Sequence, residues 1–135
     1  MVGASEIILI LLASLAGTLL AGCGQGDDAE RLARLGLPPA DYRADAGRGA
    51  EVYAAKCREC HGPAARGSDK GPPLAHGYYV ASHHADLAFY RGVRQGVAQH
   101  HWEFGDMPAQ PDVAPERVAD IIAYVRGLQQ KQGLR

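Results

Sequence analysis

The sequence is short of the side chains from which a small domain ordinarily builds its core. Aromatic residues make up 7% of its 135 residues, with only two Phe and one Trp. Once an apolar N-terminal stretch is set aside, about 110 residues are left to fold, so a core of side chains alone would be thin. A large buried apolar prosthetic group would repair that. An excess of charge is also missing: 14 Lys+Arg stand against 15 Asp+Glu, which argues against nucleic acid as a partner. No run alternates apolar and polar residues for long enough to make a strand, and there is no internal repeat or low-complexity tract. The expected class is therefore small and all-α. Cysteine is scarce too, at three residues, and that makes each position informative.

The first cysteine closes the apolar stretch. Ile7 to Gly22 carries no charge and has the length of a secretory hydrophobic region, shorter than the roughly 20 residues a spanning helix needs. It ends in Leu20-Ala21-Gly22-Cys23, which resembles a bacterial lipobox, whose Cys is diacylated and becomes the mature N-terminus. Against that pattern, no Lys or Arg precedes the apolar run, and Glu6 stands where positive charge is expected. An exported lipoprotein, an uncleaved anchor and ordinary secretion stay open at this point, and each places the domain outside the cytoplasm. The boundaries expected are a signal peptide over 1–22, a flexible tether over 23–44 and a folded domain over 45–132. The tether reading rests on the polar start of 24–44 and on Gly36 and the Pro38-Pro39 pair, which would stop a helix begun at Ala29. Its twenty-odd residues, if flexible, would reach on the order of 25 Å in root-mean-square terms.

Three helices are legible beyond the tether. The first is expected from Asp45, a suitable N-cap, to Cys57, with Gly49, Tyr53 and Cys57 on one face at i, i+4 and i+8. Gly49 costs roughly 1 kcal/mol against Ala inside a helix, and a close helix crossing would explain it. From Gly62 to His84 four glycines and three prolines exclude a long helix. Ala85 to Gln95 has helical spacing through Leu87, Tyr90 and Val93 or Arg94, ended by Gly96 as a left-handed cap. The last helix is expected over 115–130, with Pro115 in its first turn. Val118, Ile121, Ile122, Val125 and Leu128 form its apolar face, with Glu116, Arg117, Asp120 and Arg126 largely off it.

The other two cysteines lie in Cys57-Arg58-Glu59-Cys60-His61. A C-x-x-C holds a redox disulfide, a zinc ion with two further ligands, or a c-type haem. The redox reading wants a low-pKa thiol at a helix start within a βαβ unit, whereas this pair falls at a helix end, where the dipole raises thiol pKa. Zinc could draw on His61, His76, His83, His84, His100 or His101. A histidine directly after the second cysteine is, however, the haem attachment signal: each thiol adds to a porphyrin vinyl group and the adjacent imidazole is carried to the iron.

On these residues the chain from Asp45 to Gln130 resembles the single-haem class I cytochromes c. Gly49-x3-Tyr53-x3-Cys57 is similar to their N-terminal helix and Ile121-x2-Tyr124 to its partner on the C-terminal helix. The resemblance implies one covalent haem c on Cys57 and Cys60, with His61 as one axial ligand. It implies that the Pro72 carbonyl of Gly71-Pro72-Pro73-Leu74 accepts the N–H of His61, and that Gly105-Asp106-Met107-Pro108 delivers Met107 as the other axial ligand. It also implies that the Trp102 indole reaches a haem propionate. Met107 as core filler, Trp102 as plain packing, and His100 or His101 as the sixth ligand remain alternatives, as does a second metal such as copper on His83-His84 and His100-His101.

Two axial side chains would leave the iron no open position, so the function implied is single-electron transfer with transiently docked redox partners, on the periplasmic side of a bacterial membrane and tethered to it through Cys23. The rival is a haem subunit or a catalytic component, peroxidase-like or nitric-oxide-handling, of a larger oxidoreductase. The sequence carries no second C-x-x-C-H and no evident general base for such chemistry.

Overall fold

Asp45 starts a helix as its sequence position suggests: its backbone is extended and its side chain accepts the Arg48 N–H at 2.7 Å. In the computed structural model, which describes residues 25–135, the helices are α1 (Gln25–Leu35), α2 (Ala46–Lys56), α3 (Arg58–His61), α4 (Asp86–Gln95) and α5 (Pro115–Lys131). Short 3-10 turns occupy Pro63–Ala65 and Gly77–Tyr79. The described residues hold no strand, only a single antiparallel bridge between Val97 and Met107. No helix among them is long and apolar enough to cross a membrane.

The fold turns on the crossing of α2 over α5. A Cβ on Gly49 would lie 1.9 Å from the Asp120 carbonyl oxygen and 3.0 Å from Tyr124 Cβ, so only a glycine lets the two backbones approach this closely. The cost of Gly49 inside a helix is thus offset by the packing it permits. Tyr53, one turn on, is 1% exposed and tilts against Tyr124 with ring centroids 5.3 Å apart. The core continues through Ile121 and Val125 to Ala65 and Ala75. It is as thin as the composition implies: three of the buried apolar residues are Ala65, Ala75 and Ala119.

The polar face assigned to α5 needs correction at two positions. Asp120 is fully buried, because the crossing that admits Gly49 also brings it against the start of α2. Its carboxylate accepts the Asp45 N–H at 2.7 Å and the Tyr42 hydroxyl at 2.9 Å. It also takes Arg48 Nε at 3.1 Å, Arg48 Nη2 at 3.0 Å and Arg117 Nη1 at 2.8 Å. Burial pushes this carboxyl up, yet the hydrogen bonds from Arg48, Asp45 and Tyr42 more than offset it and hold the group below the usual carboxylate range. Arg126, also expected off the face, is mostly covered. It donates to Asp86 at 2.8 Å and to the His84 carbonyl at 2.7 Å, joining α5 to the start of α4.

The segment read as a flexible tether carries a helix. α1 ends at Leu35 in a Schellman arrangement, with Leu37 N–H on the Leu32 carbonyl at 2.9 Å and Gly36 N–H on Ala33 at 3.0 Å. Pro38-Pro39 therefore follows a helix that already has its own stop, and a start at Gln25 gives it length enough. Tyr42 and Arg43 belong to the domain, bonded to Asp120 and Arg48. Gly96 ends α4 as expected, but at φ 79°, ψ 178° it is not a left-handed helical cap: it turns the chain straight into the Val97–Met107 bridge. The signal-peptide and lipobox readings, Cys23 included, lie outside the described residues.

Candidate functional site

Cys57 caps the end of α2, and three residues later α3 has already turned, so the two thiols and His61 emerge from little more than one helical turn. Cys57 is half-buried and Cys60 exposed. Burial, with Cys60 beside it, pushes the Cys57 thiol up to about 11, the opposite of what a redox nucleophile needs. His61 is 8% exposed, and its Nδ1 lies 2.9 Å from the Pro72 carbonyl oxygen. A carbonyl can only accept, so Nδ1 carries the proton and Nε2 keeps its lone pair. Burial lowers the imidazole pKa, with the Pro72 bond working the other way, which disfavours the protonated ring.

The loop from Gly62 to Ala75 is tied to these residues by the backbone itself. Gly62, at φ 73°, places its own hydrogens where a Cβ would meet the Gly67 carbonyl oxygen at 1.9 Å. Ala64 and Ala65 are left-handed as well, at φ 52° and 56°, a strain of order 1–2 kcal/mol per alanine that the surrounding bonds must hold. Those bonds are specific. The Tyr53 hydroxyl donates to the Gly62 carbonyl at 2.8 Å, Gly67 N–H to His61 at 2.7 Å, Ser68 Oγ to Cys60 at 2.6 Å and Ala75 N–H to Ala65 at 2.8 Å. Sequence reading missed Tyr53 and Ser68 as supports of this loop, for each bond reaches across the turn to a backbone carbonyl.

Met107 sits on a second loop. Its N–H and carbonyl bond Val97 at 2.9 and 3.0 Å, closing residues 97–107 into a loop, and its side chain is half-buried. Asp106 accepts the Gln99 N–H at 2.9 Å, and Gln99 accepts the Gly105 N–H at 2.6 Å. Trp102, inside this loop, has a buried Nε1–H with no hydrogen-bond partner. Tyr79 is close enough for that N–H to oppose the rise that burial gives its phenol, but the two do not reach hydrogen-bond geometry. Four basic residues surround the attachment turn. Lys56 pairs with Asp112 and Lys70 with Glu59, and among the described residues Arg58 and Arg66 remain exposed without an ion pair. Two shallow cavities of about 250 and 180 Å³ are lined by none of Cys57, Cys60, His61 and Met107.

The donor set suits a covalently held macrocycle on three counts. Paired thiols stand next to a buried neutral imidazole whose second nitrogen is already oriented. The protein core is thin enough to need an apolar partner. A buried indole N–H lacks an acceptor of the kind a propionate provides.

The family comparison agrees with this reading. No curated protein matches the sequence. Among solved structures, the c-type cytochrome XoxG from Methylobacterium extorquens AM1 is similar at 28% identity and a TM-score of 0.48, over 60% of this chain; the chain spans about half, 48%, of that one. The family model for cytochrome c matches residues 46–129, from the first residue of α2 almost to the end of α5 and more than half of the chain. With the attachment turn, the oriented imidazole and the crossed helices all inside that match, the chain belongs to the cytochrome c family, an all-α c-type cytochrome whose cofactor is covalently bound haem c.

Proposed function

We propose that this protein is a single-electron carrier, exported and tethered to the periplasmic side of a bacterial membrane by a lipid on Cys23. Cys57 and Cys60 would hold the haem through thioethers, and His61 Nε2 and the Met107 thioether would supply the side-chain ligands to its iron. When bound, haem c supplies an iron that takes up and gives back one electron at a time. Everything else is the work of the chain. Pro72 orients His61 and raises its basicity as a ligand by accepting its Nδ1–H. The Val97–Met107 bridge holds the loop that brings the thioether, and a thioether paired with imidazole favours the reduced state more than a stronger donor would. The unpartnered Trp102 N–H would donate to a propionate. Exposed Arg58 and Arg66 flank Cys60 in the chain and offer transient partners a basic rim.

The observation that carries this reading is the buried imidazole beside two cysteines, its free nitrogen specified by the Pro72 carbonyl. A far-red methionine-to-iron charge-transfer band in the oxidised protein, with no carbon monoxide binding by the reduced protein, is the result expected. A wild type that lacks the band and binds carbon monoxide readily has an open iron position, and the catalytic reading then replaces the carrier. Intact-mass measurement on the membrane fraction is expected to show an acylated chain beginning at Cys23. A retained Met1 or another mature start removes the lipid tether.

A further inference from the structure

The motif Cys57–His61 and the Met107 loop leave one constellation unused. His83 and His84 end the irregular segment before α4, and His100 and His101 follow it. The chain through α4 and the Val97–Met107 bridge brings the two pairs face to face. His83 Nε2 lies 3.3 Å from His101 Nε2, and His84 Nε2 lies 3.4 Å from His100 Nε2. One ligand atom from each of His83, His84 and His101 falls within 4.8 Å of the others.

Neutral imidazoles can share an N–H···N bond, so short ring contacts alone decide nothing. The second nitrogens decide it. His84 Nδ1 lies 2.5 Å from the Tyr78 carbonyl oxygen and His100 Nδ1 lies 2.9 Å from the Ala98 carbonyl oxygen. Both carbonyls can only accept, so both Nδ1 atoms carry protons and both neutral rings present a lone pair at Nε2. Two lone pairs then face each other at 3.4 Å. That is repulsive unless a cation sits against both. The arrangement is also the one metal-bound histidines use, in which the far ring nitrogen donates to a carbonyl and fixes the tautomer.

We propose that His83, His84 and His101, with His100 facing His84, form a second metal site, separate from the haem, for a late first-row divalent ion such as zinc(II) or copper(II). The spacing fits. Two nitrogens each about 2.0–2.1 Å from one metal at a tetrahedral angle are about 3.3–3.4 Å apart, which is the separation of both facing pairs. The donor chemistry fits too: imidazole suits copper, zinc and nickel, and copper(II) leads the affinity order of the divalent ions. The rival occupant is a proton. Burial, with the neighbouring histidines and Arg126, lowers the His84 pKa against the Tyr78 bond, which works the other way, and His101 is lowered by desolvation and by the three other rings, so a proton is disfavoured on both. A single ion can reach His83, His84 and His101 at once, with His100 joining through its facing contact to His84. Because His100 and His101 lie within the loop that Val97 and Met107 close, such an ion also pins that loop to residues 83–84.

The test uses the complete holoprotein. Oxidised protein titrated with copper(II) by calorimetry is expected to bind one ion per chain in the micromolar range or tighter at neutral pH. Its electron paramagnetic resonance signal is expected to show hyperfine coupling to several imidazole nitrogens, with the haem absorption unchanged. The double substitution His84→Gln and His100→Gln is expected to weaken binding at least 100-fold, whereas His76→Gln, outside the cluster, leaves it unaltered. A measurement on the wild type guards against a misfolded variant: in the reduced, diamagnetic protein, zinc(II) is expected to shift the Nε2 resonances of these four histidines and no others. Binding that persists in the double variant, zinc shifts centred elsewhere, or an affinity weaker than about a millimolar overturns the proposal. So does a pH titration in which His84 and His100 share a proton near neutrality and no metal binds.

Discussion

The segment that follows Cys57 and the segment that leads to Met107 are built on opposite plans. Residues 57–75 are held at nearly every step, by Tyr53, by Ser68, by the Pro72 carbonyl and by the Ala65–Ala75 bond, and they include backbone that alanine adopts only under strain. Residues 97–107 are closed at one bridge and braced by Gln99 and Asp106, and inside them stand an indole N–H without a partner and two histidines with tilted rings packed into a cluster. The first loop is preorganised by the polypeptide. On the proposed ligation, the second would draw its remaining order from what it binds, so that a ligand on the first loop is set before the cofactor arrives and one on the second can be exchanged without unmaking the fold.

The sharpest way to break that contrast is at Gly62. A side chain there meets the Gly67 carbonyl and a φ that L residues avoid, so Gly62→Ala is expected to cost about 2–5 kcal/mol and to lower the yield of haem-loaded protein, measured by thermal unfolding and haem content. An unchanged melting temperature would show that the attachment loop is not rigid. Gly49→Leu probes the crossing that both loops depend on and is expected to cost at least about 1–3 kcal/mol, because the obstructing atoms are backbone. Loss of cooperativity without a shift in midpoint would place the crossing elsewhere.

Asp120→Asn is expected to cost about 2 kcal/mol, as charge-assisted bonds to Arg48 and Arg117 weaken while the arginines themselves regain water. The sign of its pH dependence follows from a folded pKa held below the unfolded one. The contribution is complete above the unfolded value near 4 and is lost as pH falls through the folded value, so wild type and variant should converge in acid. Denaturant midpoints that stay equally far apart at pH 7 and below pH 3 would mean the carboxylate charge is not what stabilises the crossing.

On the other loop the expected changes are spectroscopic more than structural. Met107→Ala should keep its helices and haem while losing the far-red band, lowering its potential and gaining carbon monoxide binding. Collapse of the fold on this substitution would erase the contrast between the loops. Trp102→Phe is the mildest change. It removes one buried N–H and is expected to shift the potential slightly and stability by no more than about 1 kcal/mol, read by redox titration beside thermal melting.

Much of this was legible from residue order. The N-cap at Asp45, the helix spans, the crossing at Gly49 and the bond from His61 to Pro72 each follow from a local rule or from a family motif. Asp120 and Arg126 were expected largely off the apolar face of α5, yet both are covered by elements far away in the chain. The helix at 25–35 was discounted because one begun at Ala29 would be stopped by Gly36 and Pro38-Pro39, whereas it begins at Gln25 and completes before Gly36 ends it.

Composition and spacing alone determined that the chain is helical, that its core is thin, and that Cys57, Cys60 and His61 act as one unit, because helix periodicity and thiol chemistry operate over a few residues. Only the tertiary structure decided that Asp120 is the buried acceptor at the crossing, that Trp102 keeps an unmatched N–H, and that His83 and His84 meet His100 and His101. Each of these depends on which groups distant in the chain come close to one side chain. That is set by the angle at which α2 and α5 cross and by the closure of the Val97–Met107 loop, and no periodicity along the chain encodes either.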